Sequence, residues 1–150
     1  MSPEIRNRVE VMHGVNLDQL GRRDPRHYGG MGLTELEVHI SHAAGELGLT
    51  VSFFATNPEG EFVEHLHRLD GLVDGIVLNP GAWSHYSYAI RDALEIAALP
   101  AIEIHLSDVE NRELWRRQSV LGDLCVGRVT GQGPAGYRVA LERLRQEFAR

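Results

Sequence analysis

Apolar residues fall along this chain in two alternating rhythms. Short runs at 9–12, 50–55, 75–78, 101–106 and 126–130 have the length of strands and are bounded by turn-forming residues. The stretches between them carry apolar residues at helical spacing. Leu36, Ile40, Ala43, Ala44 and Leu47 form one stripe, opened by Thr34 with Glu37 three positions on, a capping-box pattern, and closed by Gly48. Pro58 opens a helix carrying Phe62, Val63, Leu66 and Leu69. Another covers 87–98 ahead of Pro100, a short helical piece is expected at 109–117, and Tyr137, Ala140, Leu141, Leu144 and Phe148 mark the last.

Five strands alternating with helices predict one α/β domain over residues 1–150, with a parallel sheet covered by helices on both faces. Short strands in a chain of this length favour the flavodoxin-like order 2-1-3-4-5. Such sheets bind ligands beyond the carboxyl ends of their strands, at the switch point between strands 1 and 3. His13, Asn16, Asn79 and His105 lie just past those ends, so the topology alone gathers them at one crevice.

Composition narrows the partners. Hydrophobic content of 43% and charged content of 24% are ordinary for a soluble globular protein. A net charge of −6 argues against a general nucleic-acid binder. No apolar run approaches the ~18 residues of a membrane span, and residues 1–10 lack the apolar centre of a secretory leader. Cys125 is the only cysteine and sits in an apolar run, which reads as a buried thiol in a reducing cytoplasm. His39 with His42, and His65 with His67, come without a third ligand and read as exposed rather than as a metal site. The chain contains no lysine, so neither a P-loop nor a Schiff-base mechanism is available.

Chemistry concentrates in three places. The polar loop at 14–29 puts Tyr28 downstream of Arg22, Arg23 and Arg26. A tyrosine ordinarily titrates near pH ~10 and becomes a base at neutral pH only where cations stabilise its phenolate. A loop that folds Arg23 onto Tyr28 would do that; the same residues also suit a solvated loop with its arginines in water. Glu103 and His105 stand two apart on a strand and share a face, where a carboxylate can orient an imidazole. The competing reading, a wet edge strand, does not suit the fourth strand in this order. Asn79 before Pro80 and Gly81 fits a binding amide or plain turn chemistry. Finally, residues 131–136 match Gly-x-Gly-x-x-Gly and offer a nucleotide-binding module as the alternative. That motif normally opens the first βαβ unit with an acidic residue ~20 positions on. Here the chain ends first, so a tight turn into the last helix is expected.

The loop sequence Gly14-Val15-Asn16-Leu17, Leu20-Gly21, Arg23-Asp24-Pro25 and Tyr28-Gly29 resembles the N-terminal motif of the type II 3-dehydroquinate dehydratases. Asn79-Pro80-Gly81-Ala82-Trp83-Ser84-His85, Ile90-Arg91-Asp92-Ala93, and Glu103-Ile104-His105-Leu106-Ser107 with Arg112-Glu113 and Arg116 extend the resemblance in order along the chain. It implies the flavodoxin-like fold and removal of water from 3-dehydroquinate, a cyclic hydroxy-ketone carboxylate, without metal or organic cofactor. Tyr28 would be the base, Arg23 would keep it ionised, and Asn16 would help hold a water at the enolate oxygen. His105 would be the acid, oriented by Glu103. Asn79 and the backbone N–H groups of Leu106 and Ser107 would hold the substrate carboxylate. His85 and Arg116 would read the ring hydroxyls, and Asp92 would reach a neighbouring subunit's site, since the family forms trimers stacked into dodecamers.

The chain departs from the family motif at several positions. His13 replaces Asn, Val15 replaces Pro, Asp24 replaces Glu, and Ala55-Thr56 replaces Gln-Ser; Tyr86, Asp108 and Gln118 replace Thr, Asn and His. His13 and Tyr86 are expected to border the crevice, His13 close enough to His105 for their titrations to couple. They are candidates for selecting a related ring such as an amino analogue of dehydroquinate.

Overall fold

The computed structural model describes residues 4–150; residues 1–3, part of the stretch read as lacking a leader, lie outside the described residues. Strands β1 (Arg8–His13), β2 (Thr50–Ala55), β3 (Gly75–Asn79), β4 (Ala101–His105) and β5 (Gly127–Thr130) form one sheet in the order β2-β1-β3-β4-β5. Every pairing is parallel, as the alternation of strands and helices requires. The helices are α1 (Pro25–Tyr28), α2 (Leu33–Glu46), α3 (Glu59–His67), α4 (Tyr88–Ala97) and α5 (Gly136–Phe148).

Side-chain alternation along the strands builds two separate cores. Val9 and Val11 of β1, Val77 of β3 and Ile102 and Ile104 of β4 pack under α2 and α5. Met12, Ile76, Leu78 and Ala101 pack on the opposite face with Phe62 and Leu66 of α3 and Ile90 and Leu94 of α4. Strands β3 and β4 are buried at every residue, whereas β2 is an edge with no fully buried position. By the same alternation Asn79 and His13 belong to the α2/α5 face, and Glu103 and His105 to the α3/α4 face.

Two expectations about elements fail for local reasons. Thr34 lies inside α2, whose N-cap is Gly32 with no side-chain cap bond. Glu37 does not close a capping box; its carboxylate lies 3.1 Å from Nε2 of His13. The helical piece expected at 109–117 is two separate 3-10 turns, Val109–Asn111 and Leu114–Arg116, with Arg112 and Glu113 between them in non-helical backbone. At the switch point the loops after β1 and β3 nearly touch. Gly14 donates its N–H to the Asn79 carbonyl at 2.8 Å, and a Cβ on Gly14 would come within 2.4 Å of the Pro80 carbonyl oxygen. Among the described residues no helix is long and apolar enough to cross a membrane.

Candidate active site

The loop after β1 is built to fold back on itself. Asn16 takes the left-handed conformation at φ 69°, which asparagine tolerates better than most residues, and its N–H donates to the Asn57 side chain at 2.8 Å. Leu17 and Leu20 are buried and pin the following turn. Asp24 then caps the one-turn helix α1, accepting from the Arg26 N–H at 2.9 Å. Pro25 supplies the first helical position, and Gly29 ends the turn at φ 83° with its N–H on the Pro25 carbonyl. This turn carries Tyr28 back over Arg23. The Arg23 guanidinium donates to the phenol oxygen at 2.5 Å, and its Cζ lies 4.3 Å from the ring centroid. Arg112, between the two turns after β4, donates to the same oxygen at 2.6 Å and reaches the Ser107 hydroxyl at 3.3 Å. The phenol oxygen therefore accepts from two cations.

A second group of residues comes off the sheet. Glu103 is fully buried on β4, and its Oε2 accepts from His105 Nε2 at 2.7 Å. Ser119 donates to the other carboxylate oxygen at 2.5 Å. Burial alone would raise the Glu103 pKa, but the hydrogen bond and charge of His105, the Ser119 hydroxyl and the Arg128 cation outweigh it and hold the carboxyl at about 2. Glu103 is thus a fixed anion that orients the imidazole. The Ser84 hydroxyl lies 3.2 Å from the same nitrogen, so Nδ1 is the His105 nitrogen left to exchange a proton. His85 stacks on His105 with ring centroids 5.9 Å apart. Burial lowers the His85 pKa, His105 and Arg116 add to the lowering, and the Gln118 carbonyl opposes it. The neutral ring donates Nδ1–H to that carbonyl at 2.7 Å.

Both groups face one cavity of about 260 Å³ at the carboxyl ends of β1, β3 and β4. Asn16, Arg23, Tyr28, Asn79, His85, His105, Leu106, Ser107 and Arg116 all line it. Glu103 stands behind His105. Asn79 is buried, with its Oδ1 accepting from the Gly81 N–H at 3.0 Å, so the amide NH₂ is its donor group. Val15, Leu17, Leu20, Val109 and Trp115 add apolar wall. The space suits one small ring, not a dinucleotide.

Three site expectations need correction or stand apart. His13 does not border the cavity. It is fully buried on the other face of the sheet from His105, its ring stacked on Phe53 and its Nε2 on Glu37, so the expected coupling of the two histidines has no geometric basis. Tyr86 is 59% exposed and outside the cavity wall, because the turn Gly81–His85 ends just before it and points it outward. Asp92 is exposed on α4, away from this cavity. Elsewhere, His65 is not a free surface histidine; it stacks on Phe54 at 3.8 Å and pairs with the buried Glu10. Cys125 is partly buried, and burial pushes its thiol up to about 12. Among the described residues no cluster could hold a metal ion.

The glycine-rich turn at 131–136 has a different use from the one its pattern offers. Gly131 and Gly133 donate their N–H groups to the carbonyls of Ser107 and Leu106 at 3.0 and 3.1 Å. Those N–H groups are spent on the cavity's own backbone and do not face a phosphate. A Cβ on Gly29 would sit 2.8 Å from Pro134, so the same turn also buttresses Tyr28.

Sequence reasoning missed Arg112, Ser84, Ser119 and Arg128. Arg112 meets Tyr28 across 84 positions and Ser119 meets Glu103 across 16, distances at which residue spacing carries no signal. The one available hint for Arg112 was its place in a matched segment.

Comparison with known proteins covers nearly the whole chain. The model of the family described as dehydroquinase class II matches residues 7–145. A 3-dehydroquinate dehydratase of Thermotoga neapolitana is 47% identical over 136 residues, covering 91% of this chain and 92% of that relative. One from Bacillus pumilus is 42% identical over 137 residues, covering 91% and 93%. The crystal structure of the type II dehydroquinase from Propionibacterium acnes superposes with a TM-score of 0.88 at 35% identity, covering 96% of this chain and 99% of that one. A 3-dehydroquinate dehydratase-like protein from Bifidobacterium longum gives 0.72 at 29% identity, covering the same shares. With its fold and nearly its whole length accounted for by these relatives, the chain belongs to the type II dehydroquinase family.

Proposed function

We propose that this protein is a hydro-lyase that converts 3-dehydroquinate to the enone 3-dehydroshikimate with its own side chains as base and acid. The observation that carries the reading is the phenol oxygen of Tyr28 held by Arg23 and Arg112 in the same cavity as the Glu103-backed His105. Tyr28 takes the proton from the carbon beside the ketone, and the electron pair moves onto the carbonyl oxygen as an enolate. Asn16 holds a water against that oxygen. The enolate collapses to the enone, the carbon–oxygen bond of the leaving hydroxyl breaks, and His105 Nδ1 delivers a proton so that water departs. Asn79 and the N–H groups of Leu106 and Ser107 grip the carboxylate, while His85 and Arg116 contact the ring hydroxyls. The identity of the relatives supports 3-dehydroquinate over an amino analogue, and neither His13 nor Tyr86 lines the cavity to argue for a different ring.

The test is direct. Purified protein dialysed against a chelator and mixed with 3-dehydroquinate is expected to develop the ultraviolet absorbance of the enone. No absorbance change with 3-dehydroquinate, or activity that returns only when a divalent ion is restored, would overturn the reading.

The protein also acts as a homo-oligomer built from trimers, in a dodecamer, within the cytoplasm. Asp92 lies on an exposed stripe of α4 between Tyr88, 64% exposed, and Ile96, 68% exposed, a face that a second copy would cover. The single, weakly acidic thiol of Cys125 suits a reducing compartment. Sedimentation should return a mass that is a multiple of the trimer; a monomer at micromolar concentration would remove Asp92 from a neighbour's site.

A further inference from the structure

We propose that Arg128 is a positioning residue for His105, acting through a Glu103 carboxylate that the two share. In the β4/β5 ladder Arg128 is paired with Glu103, so both side chains project from the same face. Glu103 Oε2, already bonded to His105, lies 3.5 Å from Arg128 Nε. Arg128 Nε and Nη2 are buried with no hydrogen-bond partner among the described residues. Its Nη1 donates to the Arg117 carbonyl at 3.4 Å and stands 4.0 Å from Glu110. The buried part of this guanidinium therefore has only Glu103 to balance it, and a guanidinium does not give up its proton.

One buried carboxylate thus faces a permanent cation on one side and a titratable ring on the other. When His105 is neutral, Glu103 and Arg128 compensate each other. Protonating His105 places a second positive charge on a single buried anion, which is costly where water is excluded. The other groups facing the dyad do not relieve this. His85 stacks on His105 from the turn after β3, Arg116 approaches from the turn after β4, and Cys125 near Glu103 holds its proton. The Tyr28 side of the cavity adds Arg23 and Arg112. Arg128 therefore makes His105 release its proton more readily than an isolated carboxylate–imidazole pair would. That favours delivery to a departing hydroxyl, and to this extent the inference rests on the proposed role of His105 as the acid.

The experiment compares the parent with Arg128→Met, Arg128→Gln and Arg128→Lys. Deuterium exchange at the His105 ring carbon, followed against pH by mass spectrometry of its peptide, reads that imidazole's titration in an assembly of any size. The Met and Gln variants are expected to move the titration upward by about one pH unit or more. They should move the basic limb of the kcat–pH profile the same way, lowering kcat several-fold with KM nearly unchanged. Lysine, which keeps the charge, should return both readouts toward the parent. Met and Gln are tested together so that one folded variant suffices. A folded Met or Gln variant with the parent's His105 titration would overturn the inference. A shifted titration in a protein that never dehydrates 3-dehydroquinate would support the Arg128–Glu103–His105 coupling while removing the proposed reaction.

Discussion

At the scale of single residues, the site rests on charge placed against groups that are otherwise poor catalysts. A phenol is a weak base, and in the proposed reaction the guanidiniums of Arg23 and Arg112 on its oxygen would stabilise the negative charge of the phenolate. Tyr28→Phe removes only a hydroxyl from a half-buried surface turn, so folding should be unaffected. Turnover should fall by about 100- to 10,000-fold, the usual worth of a positioned base, with little change in affinity for a carboxylate ring analogue. Arg112→Ala should lose rate most on the acid side of the profile, where protonation competes with the ionised phenol. Steady-state kinetics across pH check both; near-parental turnover in Tyr28→Phe would take that residue out of the mechanism. Arg112 shows what sequence alone could not give. Glu103 and His105 were legible because a strand fixes the geometry of residues two apart. Arg112 was not, because its partner arrives from a loop after β1 that only the finished sheet brings near.

At the scale of elements, the strands were legible in the period of apolar residues, and their order in the shortness of those strands in a chain of this length. One misreading occurred where a side chain had two partners to choose from. Thr34 and Glu37 have the spacing of a capping box, yet Glu37 is drawn inward to the buried His13, and the N-cap falls two residues earlier, at Gly32, with no side-chain cap. Residues 131–136 form the tight turn expected before the last helix, and the N–H groups of Gly131 and Gly133 hold the backbone of Ser107 and Leu106. That turn and α1 lean on each other at Gly29, which yields a sharp comparison. Gly29 and Gly30 both have positive φ, 83° and 78°, so an alanine at either is strained by about 1–2 kcal/mol. Only at Gly29 would the added methyl meet Pro134 at 2.8 Å; at Gly30 the nearest atom is 3.7 Å away. Gly29→Ala should therefore displace Tyr28 and cut turnover well beyond Gly30→Ala, and should lose more thermal stability. Equal turnover in the two variants would show that the Pro134 contact does not position the base.

At the scale of the whole molecule, His13 links the fold to pH without touching the chemistry. It is fully buried, and burial pushes its imidazole down to about 4. Burial also raises Glu37 above the usual carboxylate range, so both shifts disfavour a charged pair, and neutral His13 donates its Nε2–H to Glu37. In the unfolded chain the same ring titrates near ~6.5. As pH falls from about 6.5 to about 4, the unfolded state takes up a proton that the folded state refuses, so stability declines through that window and His13 removes no more below it. A shift of that size corresponds to a loss of about 3 kcal/mol between neutral and acid pH. His13→Asn has no proton to bind, so it should flatten the decline. The urea midpoints of parent and variant should differ by one amount at pH 7 and by a shifted amount, in favour of the variant, at pH 4.5. The limbs of the activity profile should not move, since His105 lies across the sheet. A parallel fall in stability for both proteins would mean that His13 is protonated in the folded state and held by Glu37. A shifted activity limb in His13→Asn would restore the coupling of the two histidines that their placement on opposite faces argues against.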